Sequence, residues 1–379
     1  MDRKRYNEYK EILNNTVLPQ PISKEEQQKI TQPLEDWVNN NTPAKLFKFR
    51  ACNENNIQAF LNHQIWFATA SRMNDDFDSL LFCDNNRISR ELNEQFDHDG
   101  NLKIYNFLKA DGEIPELFIN LLGESVIKKA KENIKKFTDE ELHQSSIALK
   151  QYLEKGFNDQ YPFVSEIEQK TIKFSSFSED INSPLMWGHY AENSTGFALA
   201  YDFRNGKYND CPTCPKLGIS CFSPKIHRLL PVVYSDNMLD STDYARYLMQ
   251  DAITRNYLQN LNIEPNLCNE ILNTVACKDV FMHTKILFQK STAWAEEKEW
   301  RMTVSYNSPL YPTDQVANVS KKPCALYLGR RINKSNELIL RHIAYKQHIP
   351  VFKMGIDKTS QKFEFKPVRV SNSKKDLLL

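Results

Sequence analysis

The sequence predicts an α+β fold, one β core wrapped by helices. Two observations carry that class. Short strand-like runs recur at AKLFKFRA, QIWFATA, TIKFSSFSED, LMWGHYAENSTGFALAYDF, LLPVVYS, CALYLGRRI and IPVFKM, and charged segments with helical periodicity separate them. Hydrophobic residues make up 41% of the 379, with 22 Phe and 16 Tyr, enough apolar surface for a true core and too much for a disordered chain.

Taken in order, residues 1 to about 40 show helical patterns broken by PQP. Ser23 suits an N-cap, with Glu26 three residues on. This stretch reads as an appended helical arm (1–40), followed by a single α+β domain (41–360). AKLFKFRA is a strand, and ENNIQAFLNHQ places Ile57, Phe60 and Leu61 on one buried helix side. QIWFATASRMNDDFD returns as a strand ending in a polar loop. There Asn74, Asp75 and Asp78 suit turn or helix caps, or alternatively contact with a nucleotide or a metal. From about 87 to 169 the chain turns charged and helical, as in ESVIKKAKENIKKF, and reads as a helical insertion or lid. After the next strands, the segments around 241–262 and 269–290 are helical, NKSNELILRHIAYKQH is an amphipathic helix, and residues 361–379 form a frayed tail.

Lys plus Arg number 49 against 48 Asp plus Glu, so no global field draws the protein to nucleic acid or to an anionic membrane. No run of eighteen apolar residues occurs, and MDRKRYNEYKEILNN is too polar for a signal-peptide core, so a soluble cytoplasmic protein without a membrane partner is expected. Eight scattered cysteines do not form a disulfide framework. CPTCPKLGISCFSPKIH is the exception. Cys211, Cys214, Cys221 and His227 offer a C-x2-C pair and two further possible ligands for tetrahedral zinc, in a loop at about 207–228; the spacing is short for the usual zinc ribbons and no second C-x2-C exists, and the plainer reading is a Pro-stiffened loop.

WAEEKEWRMTV is the most chemical stretch. A period-2 strand here would point Glu297, Glu299, Arg301 and Thr303 to one side and Trp300, Met302 and Val304 to the other. Neighbouring carboxylates cost free energy unless a ligand, a proton or an arginine offsets them. The plainer reading is an edge strand with a solvated charged face. Lys290 and Trp294 precede it as braces. In LMWGHYA, Trp187 and Tyr190 share a helical face, and His189 is either structural or in contact with a substrate.

The succession LFKFRA, WFATASRMNDDFD, FSSFSED, LMWGHYAENSTGFAL, W-x2-E-x-E-W-R and LYLGRRI resembles the bacterial domain-of-unknown-function family 2971 (DUF2971), over roughly residues 45 to 355. A more distant similarity is to the ADP-ribosyltransferase fold, which implies a split β core carrying a basic residue, then Ser-x-Ser, then Glu-x-Glu. Arg50, Ser176-Phe177-Ser178 (or the register starting at Ser175) and Glu297-Lys298-Glu299 stand in that order, with Lys48 competing for the first place.

That similarity implies NAD as co-substrate and a macromolecular acceptor, protein or nucleic acid, with a role as a toxin or anti-phage defence effector. Breaking the bond between nicotinamide and ribose builds an oxocarbenium-like charge, which a fixed carboxylate, assigned to Glu299, can stabilise. Glu297 would position or deprotonate the attacking group. Arg50 would hold the diphosphate, and Ser176 would orient Glu299 and a ribose hydroxyl. Ser178, Asn74, His189 and Tyr190 complete the expected cofactor contacts, with an aromatic such as Phe174, Phe177 or Tyr190 against the nicotinamide ring. Two other classes stay open: a metal-dependent nuclease built on Asp75, Asp78, Glu297 and Glu299, and a binding module stapled by zinc. Neither the acceptor nor the oligomeric state is written in these residues.

Overall fold

Helices begin where the side chains can cap them. Ser23 and Glu26 close the expected capping box: Glu26 N–H donates to Ser23 Oγ at 3.2 Å, and Ser23 N–H donates to the Glu26 carboxylate at 3.3 Å. The computed structural model describes residues 2–95, 131–132, 135–136, 138–204, 229–249, 251, 277–305 and 317–373.

In chain order these hold α1 (Arg3–Asn15), α2 (Lys24–Asn41), β1 (Leu46–Arg50), α3 (Glu54–Leu61), β2 (Gln64–Thr69), α4 (Asn85–Gln95) and α5 (Asp139–Thr171). Next come β3 (Ile172–Ser178), α6 (Pro184–His189), β4 (Phe197–Tyr201), β5 (Leu229–Pro231), β6 (Val233–Ser235) and α7 (242–249). Then follow α8 (Met282–Leu287), β7 (Gln289–Ser291), a 3-10 turn (Thr292–Glu297), β8 (Glu299–Ser305), β9 (Ala317–Ser320), β10 (Ala325–Leu328), α9 (Lys334–Lys346), β11 (Val351–Ile356) and β12 (Phe365–Val370). α4 and α5 are the described parts of the helical insertion. The cysteine loop, with Cys211, Cys214, Cys221 and His227, lies outside the described residues.

The main sheet is antiparallel apart from the β10–β11 pair, which fits the α+β class. It is built in two halves. One runs β12-β11-β10-β4-β1 and the other runs β9-β2-β3-β8-β5. They join where Phe47 of β1 pairs with Ser178 at the end of β3. At its other end β3 pairs through Phe174 and Lys173 with Ala68 and Thr69 of β2, so β1 and β3 diverge between these two anchor points. The divergence opens a cleft between the half-sheets.

Strand alternation decides what faces that cleft. On β1, Leu46, Lys48 and Arg50 share one face, and Phe47 and Phe49 take the other, against Trp187. Because Phe47 pairs with Ser178, and Ser178 and Ser176 oppose Glu299 and Arg301, the faces bearing Phe47, Ser176, Glu299 and Arg301 are continuous.

Two boundaries expected from sequence move. The arm is not an appendage, because Tyr9, Leu13, Leu34 and Trp37 belong to the main core, with Trp37 stacked on Trp300 at 6.4 Å. The expected tail at 361–379 begins too early, since β12 pairs with β11 from Phe365 to Val370. Its half-exposed alternation hides the strand in a polar stretch.

Candidate functional site

A cavity of about 250 Å³ fills the split between β1 and β3. Its apolar walls are Phe47, Phe49, Trp66, Phe174, Met73 and Met186. Its polar groups are Lys48, Asn74, Asp78, Ser176, Ser178, Tyr190, Lys290, Glu297 and Glu299. Three segments therefore converge that lie far apart in the chain. An aromatic enclosure with a few placed polar groups is the usual make-up of a small-molecule site.

Beneath the cavity the charges form a continuous buried network. Arg301, fully buried, donates from Nη1 and Nη2 to both oxygens of Asp78 at 2.7 and 2.6 Å, and from Nε to Glu299 Oε1 at 2.7 Å. Its guanidinium also lies over Phe174, 4.4 Å from the ring centre. Lys290 bridges onward, 2.8 Å from Glu297 and 3.6 Å from Glu299, with its ammonium over the Trp294 ring. Tyr190 donates its hydroxyl proton to Glu297 and accepts from Asn74 Nδ2 at 3.0 Å. Behind the strand, Glu299 N–H donates to the Tyr234 hydroxyl at 2.8 Å.

These surroundings drive the two carboxylates apart. For Glu299, burial favours the neutral form, but the charges of Arg301 and Lys290 and the hydrogen bonds of Arg301 and Ser176 outweigh it and hold the group at about 2. For Glu297, burial dominates, Glu299's charge adds to it, and the carboxyl is raised above its ordinary range despite Lys290. The Tyr190 hydroxyl is pushed well up, first by burial and then by Glu297, so it stays protonated.

The site residues read from sequence sort as follows. Glu297, Glu299, Ser176, Ser178, Asn74 and Tyr190 all line the one cavity. Strand pairing picks the Ser176/Ser178 register, with Ser175 on the opposite face beside Met302. Arg50 does not reach the cavity. It is buried on the reverse face of β1, where Nη1 donates to Asn56 Oδ1 at 2.8 Å. The basic residue that lines the cavity from β1 is Lys48, whose Nζ donates to the Ser176 carbonyl at 2.9 Å. His189 is exposed and off the cavity wall, its ring edge-on to Tyr190.

Glu297 is also not a strand residue. It ends the 3-10 turn, and Lys298 takes a left-handed conformation (φ 45°) before β8 starts at Glu299. The period-2 row therefore holds from Glu299 onward only. Asp78, Arg301 and Tyr234 were not singled out from sequence for the roles they hold. The Arg301 role had a signal in its i+2 spacing from Glu299, whereas the Asp78 pairing spans 223 residues and had none.

Among the described residues no group of three or more His, Cys, Asp or Glu side chains is placed to hold a metal ion. Asp78 and Glu299, which a nuclease would need open, are both engaged by Arg301. No helix of the described residues is long and apolar enough to cross a membrane.

No curated protein and no solved structure matches the chain. Residues 186–302, from the Trp187–Tyr190 segment to the start of β8, match the model of the family described as Protein of unknown function (DUF2971).

Proposed function

We propose that the chain cleaves the nicotinamide–ribose bond of NAD and transfers ADP-ribose to a macromolecular acceptor. One observation carries the reading. Two carboxylates in one aromatic-walled cavity are pulled in opposite directions, Glu299 held at about 2 by Arg301 and Lys290 against burial, and Glu297 raised by burial and by the charge of Glu299. Such a split assigns acid–base roles in enzymes that break glycosidic bonds. Glu299, fixed by Arg301, faces the cation that develops on the ribose, and Ser176 orients a ribose hydroxyl beside it. Glu297 exchanges a proton with the attacking group, steadied by Tyr190 and Lys290.

The aromatic walls suit a planar ring. At about 250 Å³ the cavity is smaller than the ~300–1,000 Å³ typical of sites that engulf a whole ligand. It therefore suits the nicotinamide and ribose end, with the adenosine outside. A role as a toxin or anti-phage defence effector would follow from this chemistry.

The test is to incubate the protein and its Glu299→Gln form with NAD labelled in the adenylate, together with cell lysate. Nicotinamide release or label transfer by the unsubstituted protein alone is the expected outcome. No NAD turnover under any condition would remove the proposal. The double engagement of Glu299 by Arg301 favours a second reading, a non-catalytic binding module in which that pair is structural. In that case Glu299→Gln lowers stability and no NAD-dependent activity exists to lose.

A further inference from the structure

Two features of β1 are unexplained by the site as described. Arg50 is buried, and among the described residues its Nε and Nη2 have no hydrogen-bond partner and no carboxylate pairs with it. An uncompensated buried guanidinium is costly and needs a reason. Two residues earlier on the same strand face, Lys48 enters the cavity. Its ammonium donates to the Ser176 carbonyl and lies 5.5 Å from the Phe177 ring centre, but it has no ion-pair partner among the described residues. Lys290, the other lysine of the cavity wall, is held by Glu297 and Glu299.

A lysine that is desolvated, set beside another cation and free of a carboxylate is the arrangement that yields a nucleophilic amine at neutral pH. We infer that Lys48 is a nucleophilic amine site that takes a small aromatic aldehyde or ketone as an imine, with Arg50 as the neighbouring positioning residue on the same strand face.

The groups that bear on Lys48 are few. Burial is the largest influence and lowers its pKa, Arg50's charge lowers it further, and Glu299's charge opposes both, leaving it at about 7. In the bond-forming step the Nζ lone pair attacks the carbonyl carbon. The carbonyl oxygen takes a proton by way of Glu297, which shares the cavity and whose proton affinity burial raises, and the nitrogen returns one to it. The carbinolamine hydroxyl takes a second proton by the same route and leaves as water, and the nitrogen's remaining proton goes back to Glu297, leaving the C=N bond. No oxidant or reductant is required. The inference does not depend on NAD turnover, because the amine's reactivity is measured without NAD.

The experiment treats the full chain with pyridine-3-carboxaldehyde and cyanoborohydride between pH 6 and 10, and locates the reduced adduct by peptide mass spectrometry. Surface lysines titrate near ~10.4, so at neutral pH the neutral fraction of Lys48 is about a thousandfold larger. After discounting for the weaker nucleophilicity of a less basic amine, labelling at pH 7 should run at least about tenfold faster than at the exposed Lys362. Its rate should level off above a midpoint near 7. Arg50→Gln should move that midpoint upward.

If Lys48 labels no faster than Lys362, or titrates in the ordinary lysine range in the unsubstituted protein, the inference fails. The pH profile of the unsubstituted protein decides this even if Arg50→Gln does not fold. If Lys48 labels as expected while NAD is never consumed, the amine site stands and the transferase reading falls alone.

Discussion

At the residue scale the site turns on Arg301. Its guanidinium is fully buried and makes hydrogen bonds to Asp78, to Glu299 and to the Leu287 carbonyl. Removing one partner of such a group strands a buried charge, which costs about 3–5 kcal/mol. Arg301→Met should therefore lower unfolding stability by about that amount in urea titration. The same substitution frees Glu299 to take up a proton near its ordinary range. The two carboxylates also leave opposite marks on stability. Glu299, depressed from 4.5 to about 2, contributes stability that is present above 4.5 and lost as pH falls toward 2. Glu297, raised from 4.5, binds its proton more tightly when folded, so its contribution is full below 4.5 and is lost as pH rises through its folded value. Glu297→Gln should abolish that second loss, so the variant's stability relative to the parent grows with pH above 4.5; an unchanged difference would contradict the assignment. Most of these residues could be read from sequence, because Ser176, Tyr190, Glu297 and Glu299 each stand in a motif with a chemical reason. Arg50 was misplaced for a physical cause: Lys48 and Arg50 occupy one strand face, and only the divergence of β1 from β3, which no local pattern encodes, lets Lys48 and not Arg50 reach the cavity.

At the element scale the site depends on how tightly three strand ends meet. Glu192, Asn193 and Ser194 are consecutive left-handed residues (φ 50°, 54° and 68°), and they fold the chain back so that Gly196 and Gly329 touch backbone. A Cβ on Gly329 would lie 2.3 Å from the Ser194 carbonyl oxygen, and one on Gly196 would lie 2.2 Å from the Arg50 carbonyl oxygen. Backbone cannot yield as a side-chain tip does, so Gly329→Ala should cost at least the ~1–3 kcal/mol of overpacking, seen as a lowered Tm. A tolerated alanine would mean that the β4–β10 register at Leu328↔Phe197 is looser than the pairing requires. Strands β1 to β6, β8, β10 and β11, and the helices α1 to α3 and α9, were legible because each has its own period, and α2, α3 and α9 their caps as well, whereas the short polar strands β7, β9 and β12 were not. Glu297 was placed on a strand because i+2 spacing looks the same whether or not a left-handed residue intervenes. Lys298, at φ 45°, carries no glycine to announce the turn.

At the scale of the whole molecule, the helical arm and the chemistry form one structure. Tyr234 N–H donates to the Tyr6 hydroxyl at 2.6 Å, and the Tyr234 hydroxyl in turn accepts Glu299 N–H at 2.8 Å, so α1 supports the strand that carries the site. Tyr9 and Leu34 are completely buried, Leu13 and Trp37 nearly so, and Trp37 lies between Tyr9 and Trp300. The amphipathic pattern of residues 1–40 showed that these helices had a buried side but not what that side meets, since its partner Trp300 is 263 positions from Trp37 along the chain. Each large apolar side chain of this kind contributes about 1.5–3 kcal/mol by burial. Four of them rival the whole ~5–15 kcal/mol that holds a domain folded. A chain beginning at residue 42 should therefore show no cooperative thermal transition in circular dichroism, and a Trp37→Ala form should melt well below the parent. Tyr6→Phe separates support from packing. It removes only the acceptor for Tyr234 N–H, worth about 1–3 kcal/mol, and it should leave the core intact while reducing the proposed NAD turnover through Glu299. A shortened chain that still melts cooperatively near the parent's Tm would make the arm dispensable after all, and the path from Tyr6 to Glu299 would then have no bearing on the site.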